Sequence, residues 1–308
     1  MNELEAVIAE VKKVVNGKDR EIVISLLTIL TNGNILIEDI PGVGKTTMAL
    51  AFSRAMGLSC GRVQFTPDTM PSDITGFVVY DKESGKMRYK KGAVFCNLFL
   101  ADELNRTSSR TQAALLEAME ERQVTVEGRT YPLEKPFTVI ATQNPAGASG
   151  TQLLPDSQVD RFTVRISMGY PDNAAELKML LNRSGGNPLD DVKCIVTRER
   201  LLEMQQQVKS VFMHDSVAAY IVELISKTRN SRFIRRGASP RATLSLADMS
   251  RASAFYGGRD YVTPRDIENV FVNTVNHRIF LNAEAASQRK SDYDVLGDIL
   301  HSTKQPRI

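Results

Sequence analysis

At 308 residues, 42% hydrophobic and 24% charged, the chain has the length of two domains and the balance of a globular protein, which excludes disordered, collagen-like and coiled-coil classes. Its formal net charge is only +3, less than a protein built chiefly to neutralise phosphate backbones carries, so nucleic acid is not indicated as a partner. No apolar run approaches the ~20 residues that cross a bilayer, and the opening MNELEAVIAEVKK lacks a secretory signal pattern, which makes a cytoplasmic location the expectation.

In chain order, residues 1–32 predict two helices: Leu4, Val7, Ile8, Val11, Val14 and Val15 keep a 3.6 period, and Ile22 to Leu30 follows a polar break before Gly33 stops it. A short apolar strand, Asn34 to Glu38, feeds DIPGVGKTT and then a helix that ends at Gly57. Further strands are expected at Arg62 to Phe65, Leu98 to Ala101, Phe137 to Thr142 and Phe162 to Ser167. Strands alternating with helices predict an α/β fold with a parallel sheet covered on both faces. The stretch from Thr66 to Cys96 is too long for one crossover helix, and GFVVYDKESGKMRYKKGAVF reads as a hairpin turning at Asp81 to Lys86. A second hairpin is expected from Gln123 to Leu133, turning at Glu127-Gly128. After Tyr170-Pro171 strands vanish and amphipathic helices follow, one with the stripe Val217, Tyr220, Ile221, Leu224 and Ile225. Another has Ile267, Val270, Phe271, Thr274 and Val275 behind the start signal Thr263-Pro264, and Ser239-Pro240 offers the same signal. The tail from Asn282 to Ile308 is polar and expected to be only partly ordered.

Cys60, Cys96 and Cys194 lack ligand spacing and are expected to be buried structural residues. His214, His277 and His301 stand alone, so neither a histidine metal site nor a Ser/Cys-His triad has visible parts.

Three segments carry chemistry. In Pro41-Gly42-Val43-Gly44-Lys45-Thr46-Thr47 the glycines let backbone amides turn inward as an anion nest at a helix N-terminus. Lys45 would reach the β- and γ-phosphates and Thr46 would ligate Mg²⁺. The strict pattern has glycine where this chain has Asp39, so a plain strand-to-helix turn also fits. Leu98 to Ala101 is an apolar strand followed by Asp102, the candidate metal-side carboxylate, and Glu103, the candidate base for an attacking water; a helix cap would look the same. Asn144 ends another strand at the sheet's carboxyl edge, where it could orient that water or simply form an Asn-Pro turn.

Together with these segments, LIEDIPGVGKTT, FTPDTMPSDITGF, GAVFCNLFLADELNRTSSRTQAALLEAMEERQVTVEG, VIATQNP, LLPDSQVDRF and GASPRA resemble a MoxR-type AAA+ ATPase of the helix-2-insert branch. The resemblance implies a P-loop NTPase core over 1–170, with the hairpin insert near 74–92, and an all-α lid over 171–308. It implies ATP and Mg²⁺ as cofactors, with Pro41, Gly42, Val43, Gly44, Lys45, Thr46 and Thr47 as Walker A, Asp102 and Glu103 as Walker B, and Asn144 as sensor 1. Arg161 resembles an arginine finger reaching a neighbouring subunit, Arg241 resembles sensor 2, and Arg106 and Arg110 are candidates for the same interface. The partners implied are a homo-hexameric ring, a protein client and a von Willebrand factor A domain protein. Three rivals share parts of this pattern: a DNA-acting AAA+ remodeller, for which Arg229, Arg232, Arg235 and Arg236 are the basic candidate; a small-molecule P-loop kinase; and a nucleotide-gated scaffold.

Overall fold

The computed structural model describes residues 2–39, 44–144, 154–171, 173, 174, 176, 177 and 187–306. The chain divides into two compact units, Met1–Val23 with Asn34–Leu154 and Ser167–Leu202, and Ile24–Gly33 with Pro155–Ile166 and Glu203–Ile308.

The first unit contains the strands β1 (Ile35–Glu38), β2 (Cys60–Gln64), β3 (Gly76–Asp81), β4 (Lys86–Lys91), β5 (Leu98–Asp102), β6 (Gln123–Val126), β7 (Arg129–Pro132) and β8 (Thr138–Gln143). Four of them run parallel in the order β2, β5, β8, β1. Ile35 to Ile37, Leu98 to Ala101 and all of β8 are buried, as expected for a parallel sheet covered on both faces. The covering helices include α1 (Glu3–Val11), opened by an Asn2–Glu5 capping box, α3 (Lys45–Ala55), which packs on α1 and β5, and α4 (Ser109–Glu121), capped by Ser108. In sequence, α2 (Asp19–Leu30) lies between α1 and α3, and from Ile24 onward its residues belong to the second unit.

Register brings three strand ends to one edge. Glu38 of β1 pairs with Gln143 of β8, and Ala101 of β5 pairs with Ala141. Asp39, Asp102-Glu103 and Asn144 therefore leave neighbouring strands at the same height, the position where open α/β sheets bind ligands.

Two antiparallel hairpins interrupt the core. β3 and β4 pair from Gly76↔Lys91 to Asp81↔Lys86, and β6 and β7 from Gln123↔Pro132 to Val126↔Arg129. The second turns on Glu127 and Gly128, both at positive φ (49° and 75°), as a two-residue hairpin loop demands. Tyr89 stacks on Tyr131 with ring centroids 3.9 Å apart, joining the two hairpins. Phe77, Tyr80 and Met87 remain exposed. Gly76 to Gly92 carries five Lys or Arg against two Asp or Glu, an excess equal to the net charge of the whole chain.

The second unit is built on the expected helical stripes. Val217, Tyr220, Ile221, Leu224 and Ile225 are buried on the helix Asp215–Asn230, and Ile267, Val270, Phe271, Thr274 and Val275 on the helix Pro264–Val275, which packs along Pro240–Tyr256. Thr263 and Asp266 close a capping box ahead of Pro264, and Arg259 grips the same aspartate through both terminal nitrogens at 2.6 and 2.7 Å.

Three expectations are corrected. Strands do not vanish after Pro171: Ile234–Arg236 pairs antiparallel with Phe280–Leu281, pieces too short for a period-2 signal. The tail is ordered through the helix Asp292–Ser302, because Ser291 and Asp294 form a capping box and Val295, Leu296 and Ile299 are buried. Each of those side chains contributes roughly 1.5–3 kcal/mol, enough to hold a helix whose other positions are polar. Cys194 is exposed and Cys60 only half-buried, leaving Cys96 as the buried cysteine. Among the described residues no helix is long and apolar enough to cross a membrane.

Candidate nucleotide site

Pro41, Gly42 and Val43 lie outside the described residues. Gly44 immediately precedes α3 at φ 92°, a backbone conformation that glycine takes without strain. Lys45 opens the helix and is buried, and its Nζ donates to the Asp39 carbonyl oxygen at 2.7 Å. Burial pushes the Lys45 pKa below the ordinary lysine value, while the charges of Asp39, Asp102 and Glu103 pull it back up. Thr46 and Thr47 follow on the first turn, half-buried.

Asp39 is itself buried at the position where the strict loop pattern has glycine. Its Oδ2 accepts from the Gly169 N–H at 2.5 Å and from Ser167 Oγ at 3.2 Å, so the carboxylate anchors the entry to the loop against residues 167–169.

One hydroxyl joins the acidic pair. Thr142 Oγ1 donates to Asp102 Oδ1 at 2.7 Å and accepts from the Glu103 N–H at 2.8 Å. Arg62 Nη2 holds the other Asp102 oxygen at 2.9 Å. Glu103 sits at φ 57°, rare for a non-glycine residue, and this turns its side chain out of the strand direction. Its Oε2 accepts from Arg106 Nη1 at 2.7 Å and its Oε1 from Asn144 Nδ2 at 3.4 Å. Asn105 fixes Asn144 through a reciprocal pair, accepting from the Asn144 N–H at 3.3 Å and donating to its carbonyl at 3.2 Å.

The structure thus brings Lys45, Asp102, Glu103 and Asn144 to one edge of the first unit. A buried ammonium beside two carboxylates and helix-borne threonine hydroxyls fits a triphosphate with a hard divalent cation. Among the described residues no cluster of three His, Cys, Asp or Glu could hold a metal by itself, so Asp102 would share such an ion with phosphate and water oxygens. Arg161 and Arg241 lie in the second unit, half-buried and exposed respectively. Asp160, preceding Arg161, accepts from the hydroxyl of Ser239, the residue just ahead of the helix Pro240–Tyr256 carrying Arg241.

The sequence alone does not point to Thr142, Arg62, Asn105 or the Arg106 contact with Glu103. Thr142 stands two residues before Asn144 in a strand, but only the register of the sheet shows that it lies beside Asp102. Arg106 stands three residues beyond Glu103, a spacing that permits the contact without specifying it. Arg110 is exposed. In the arginine cluster of the second unit, Arg236 pairs with Asp156 at 2.6 Å and lies over Phe280, and Arg232 lies over Phe233.

The profile described as the ATPase family associated with various cellular activities (AAA) matches residues 34–164, and the AAA lid domain matches 226–299. The uncharacterized protein YeaC of Bacillus subtilis is 40% identical over 97% of this chain and 93% of its own length. Chaperone MoxR1 of Mycobacterium tuberculosis is 36% identical over 99% of this chain and 83% of its own. The chain belongs to the MoxR family of AAA+ ATPases. A crystal structure of a candidate ATPase from Cytophaga hutchinsonii superimposes with a TM-score of 0.92 at 40% identity, covering 99% of this chain and 96% of that one. The α/β core and helical lid are those of an AAA+ protein, and ATP hydrolysis is the activity of this MoxR-family member.

Proposed function

We propose that this MoxR-family ATPase works as a ring, a homo-hexamer, that couples Mg²⁺-dependent ATP hydrolysis to the remodelling or maturation of a protein client. The observation that carries the reading is the Lys45, Asp102, Glu103, Asn144 cluster with Thr142 bridging the two acids. Bound ATP and Mg²⁺ would supply the transferable phosphoryl group and its charge neutralisation. Lys45 and the amides ahead of α3 would bind the phosphates, and Thr46 and Asp102 would hold the cation. Glu103 would take the proton of the attacking water, with Asn144 orienting the carboxylate. Arg161 would reach the site of the next subunit, and Arg241 would act from the lid. The division of labour is an α/β core over 1–170 and a lid over 171–308. The chaperone role draws on the name of MoxR1, and a von Willebrand factor A domain protein as helper draws on the family resemblance.

Glu103→Gln tests the assignment: nucleotide binding should persist while phosphate release, followed against Mg²⁺ concentration, falls by roughly 10²–10⁴. Unchanged turnover would remove Glu103 from the chemistry, and phosphate passed to an acceptor would mean a kinase. Arg161→Ala mixed with Glu103→Gln should regain activity, because a mixed interface joins an intact finger to an intact base.

A second reading, remodelling of DNA, is favoured by the β3–β4 hairpin, whose basic excess is interleaved with the exposed Phe77 and Tyr80. Binding of single-stranded DNA that weakens with salt and disappears when Lys86, Arg88 and Lys90 are neutralised would establish it. Absence of binding leaves the protein client.

A further inference from the structure

The second unit buries a guanidinium that the hydrolysis reading does not use. Arg278 follows the helix Pro264–Val275 and is only 4% exposed. Its Nη2 donates to the carbonyl oxygens of Asp160 at 3.3 Å and Phe162 at 2.6 Å, and to Ser245 Oγ at 3.1 Å. Its Nε lies 3.4 Å from the Asp160 carboxylate, at ion-pair distance. These carbonyls belong to the residues on either side of Arg161. Holding both restricts the backbone rotation that aims the Arg161 side chain. His277 adds a second hold, with Nε2 3.0 Å from the same Phe162 oxygen.

The guanidinium also reaches the other candidate arginine. Ser245 lies one turn beyond Arg241 on the helix Pro240–Tyr256, and Asp160 is tied to Ser239 at the start of that helix. A buried charge is a poor source of stability, because its desolvation cancels most of what its partners return. Burial pushes the Arg278 pKa down to about 10, against the pull of Asp160 and with a further push from Arg241, so it stays cationic at neutral pH. What such a group supplies in return is geometry: Nη2 alone serves the three oxygens, Nε and Nη1 have no hydrogen-bond partner among the described residues, and the rigid guanidinium plane fixes the direction of that contact as a flexible lysine ammonium does not.

We propose that Arg278 is a positioning residue for Arg161, pinning the carbonyl groups of the residues on both sides of it to the helix that carries Arg241, so that the two arginines are presented as one unit. The proposal rests on the reading of Arg161 as a finger acting on the neighbouring subunit. It adds that the aim of the finger is set by a residue more than a hundred positions away on the lid.

The test uses Arg278→Lys, which keeps the charge, and Arg278→Met, which removes it. Three measurements apply to each full-length variant: amide hydrogen exchange across residues 160–164, binding of a fluorescent ATP analogue, and phosphate release alone and mixed with Glu103→Gln. We expect faster exchange in that segment, nucleotide binding like that of the parent, and phosphate release lowered by roughly tenfold or more, the size of effect expected from misaimed catalytic groups. Mixing with Glu103→Gln should restore turnover, since those protomers bring a correctly held Arg161. Unchanged exchange in both variants would overturn the proposal. So would a mixture that stays inactive while Arg161→Ala with Glu103→Gln recovers, because Arg278 would then be needed elsewhere than behind the finger. Failure of that last control as well would sink the trans reading, leaving the exchange data to decide whether Arg278 holds the segment.

Discussion

The acidic cluster of the first unit and the arginine knot of the second are both small networks of charged groups, but they are assembled by different rules. Asp102 meets Thr142 across 40 positions because two parallel strands in register leave them no alternative. Asp160 meets Arg278 across 118 positions through side-chain packing between helices and a loop. A parallel sheet gathers its strand ends at one edge, so whatever chemistry follows the strands is collected automatically. A helical unit has no such edge, and each meeting must be built by a particular side chain. The first network therefore starts from strand register and is completed by Asn105 and Arg106, and the second is centred on one guanidinium.

The largest effect that would sharpen this contrast is expected at Thr142. Thr142→Val keeps the side chain's size but removes the donor to Asp102 and leaves the Glu103 N–H without its acceptor, a loss of roughly 1–3 kcal/mol at the reacting groups. Steady-state phosphate release should drop about tenfold or more, with nucleotide affinity retained and Thr142→Ser recovering most of the rate. A valine variant with full activity would mean that the strands alone hold the acids in place.

A smaller effect is expected at Asp39. Asp39→Gly restores the strict glycine pattern of the loop, yet it deletes both hydrogen bonds to Ser167 and Gly169. Stability in urea should fall by roughly 1–3 kcal/mol. A glycine variant as stable as the parent would show that the loop's entry does not need its anchor.

The smallest concerns pH and the second network. His277 is wholly buried, and its pKa lies well below the ordinary value of 6.5, through desolvation first and then the nearby charges of Arg278 and Arg165. The unfolded chain therefore takes up a proton that the folded chain resists, and the stability that neutral His277 allows is complete above about pH 6.5 and erodes as pH falls below it. Melting temperatures of the parent and His277→Gln, compared from pH 7.5 to 5, should show a steeper acid loss in the parent. Parallel curves would place the acid sensitivity elsewhere.

Much of the first network was legible in the sequence. An apolar run ending in Asp102-Glu103, a glycine loop ending in Lys45-Thr46 and a strand ending at Asn144 each announce a strand and its terminus, and both hairpin turns follow from their residues. What could not be read was whatever depends on register or packing between distant segments: the bridging role of Thr142, the anchoring of Asp39, and the second hold on Phe162 from His277. The short strands Ile234–Arg236 and Phe280–Leu281 escaped because three residues carry no periodicity. The final helix escaped because only Val295, Leu296 and Ile299 mark its inner face against a polar background. Arg278 gave no signal at all, since nothing local distinguishes a buried arginine from a solvated one.

The β3–β4 hairpin makes the molecule electrically lopsided. Since the segment Gly76 to Gly92 holds an excess of cationic groups equal to that of the entire polypeptide, the remainder is formally neutral, and neutralising the hairpin would lower the isoelectric point from its value near 8.7. Neutralising Lys86, Arg88 and Lys90 should thus weaken retention on a cation exchanger near neutral pH, with the fold unchanged.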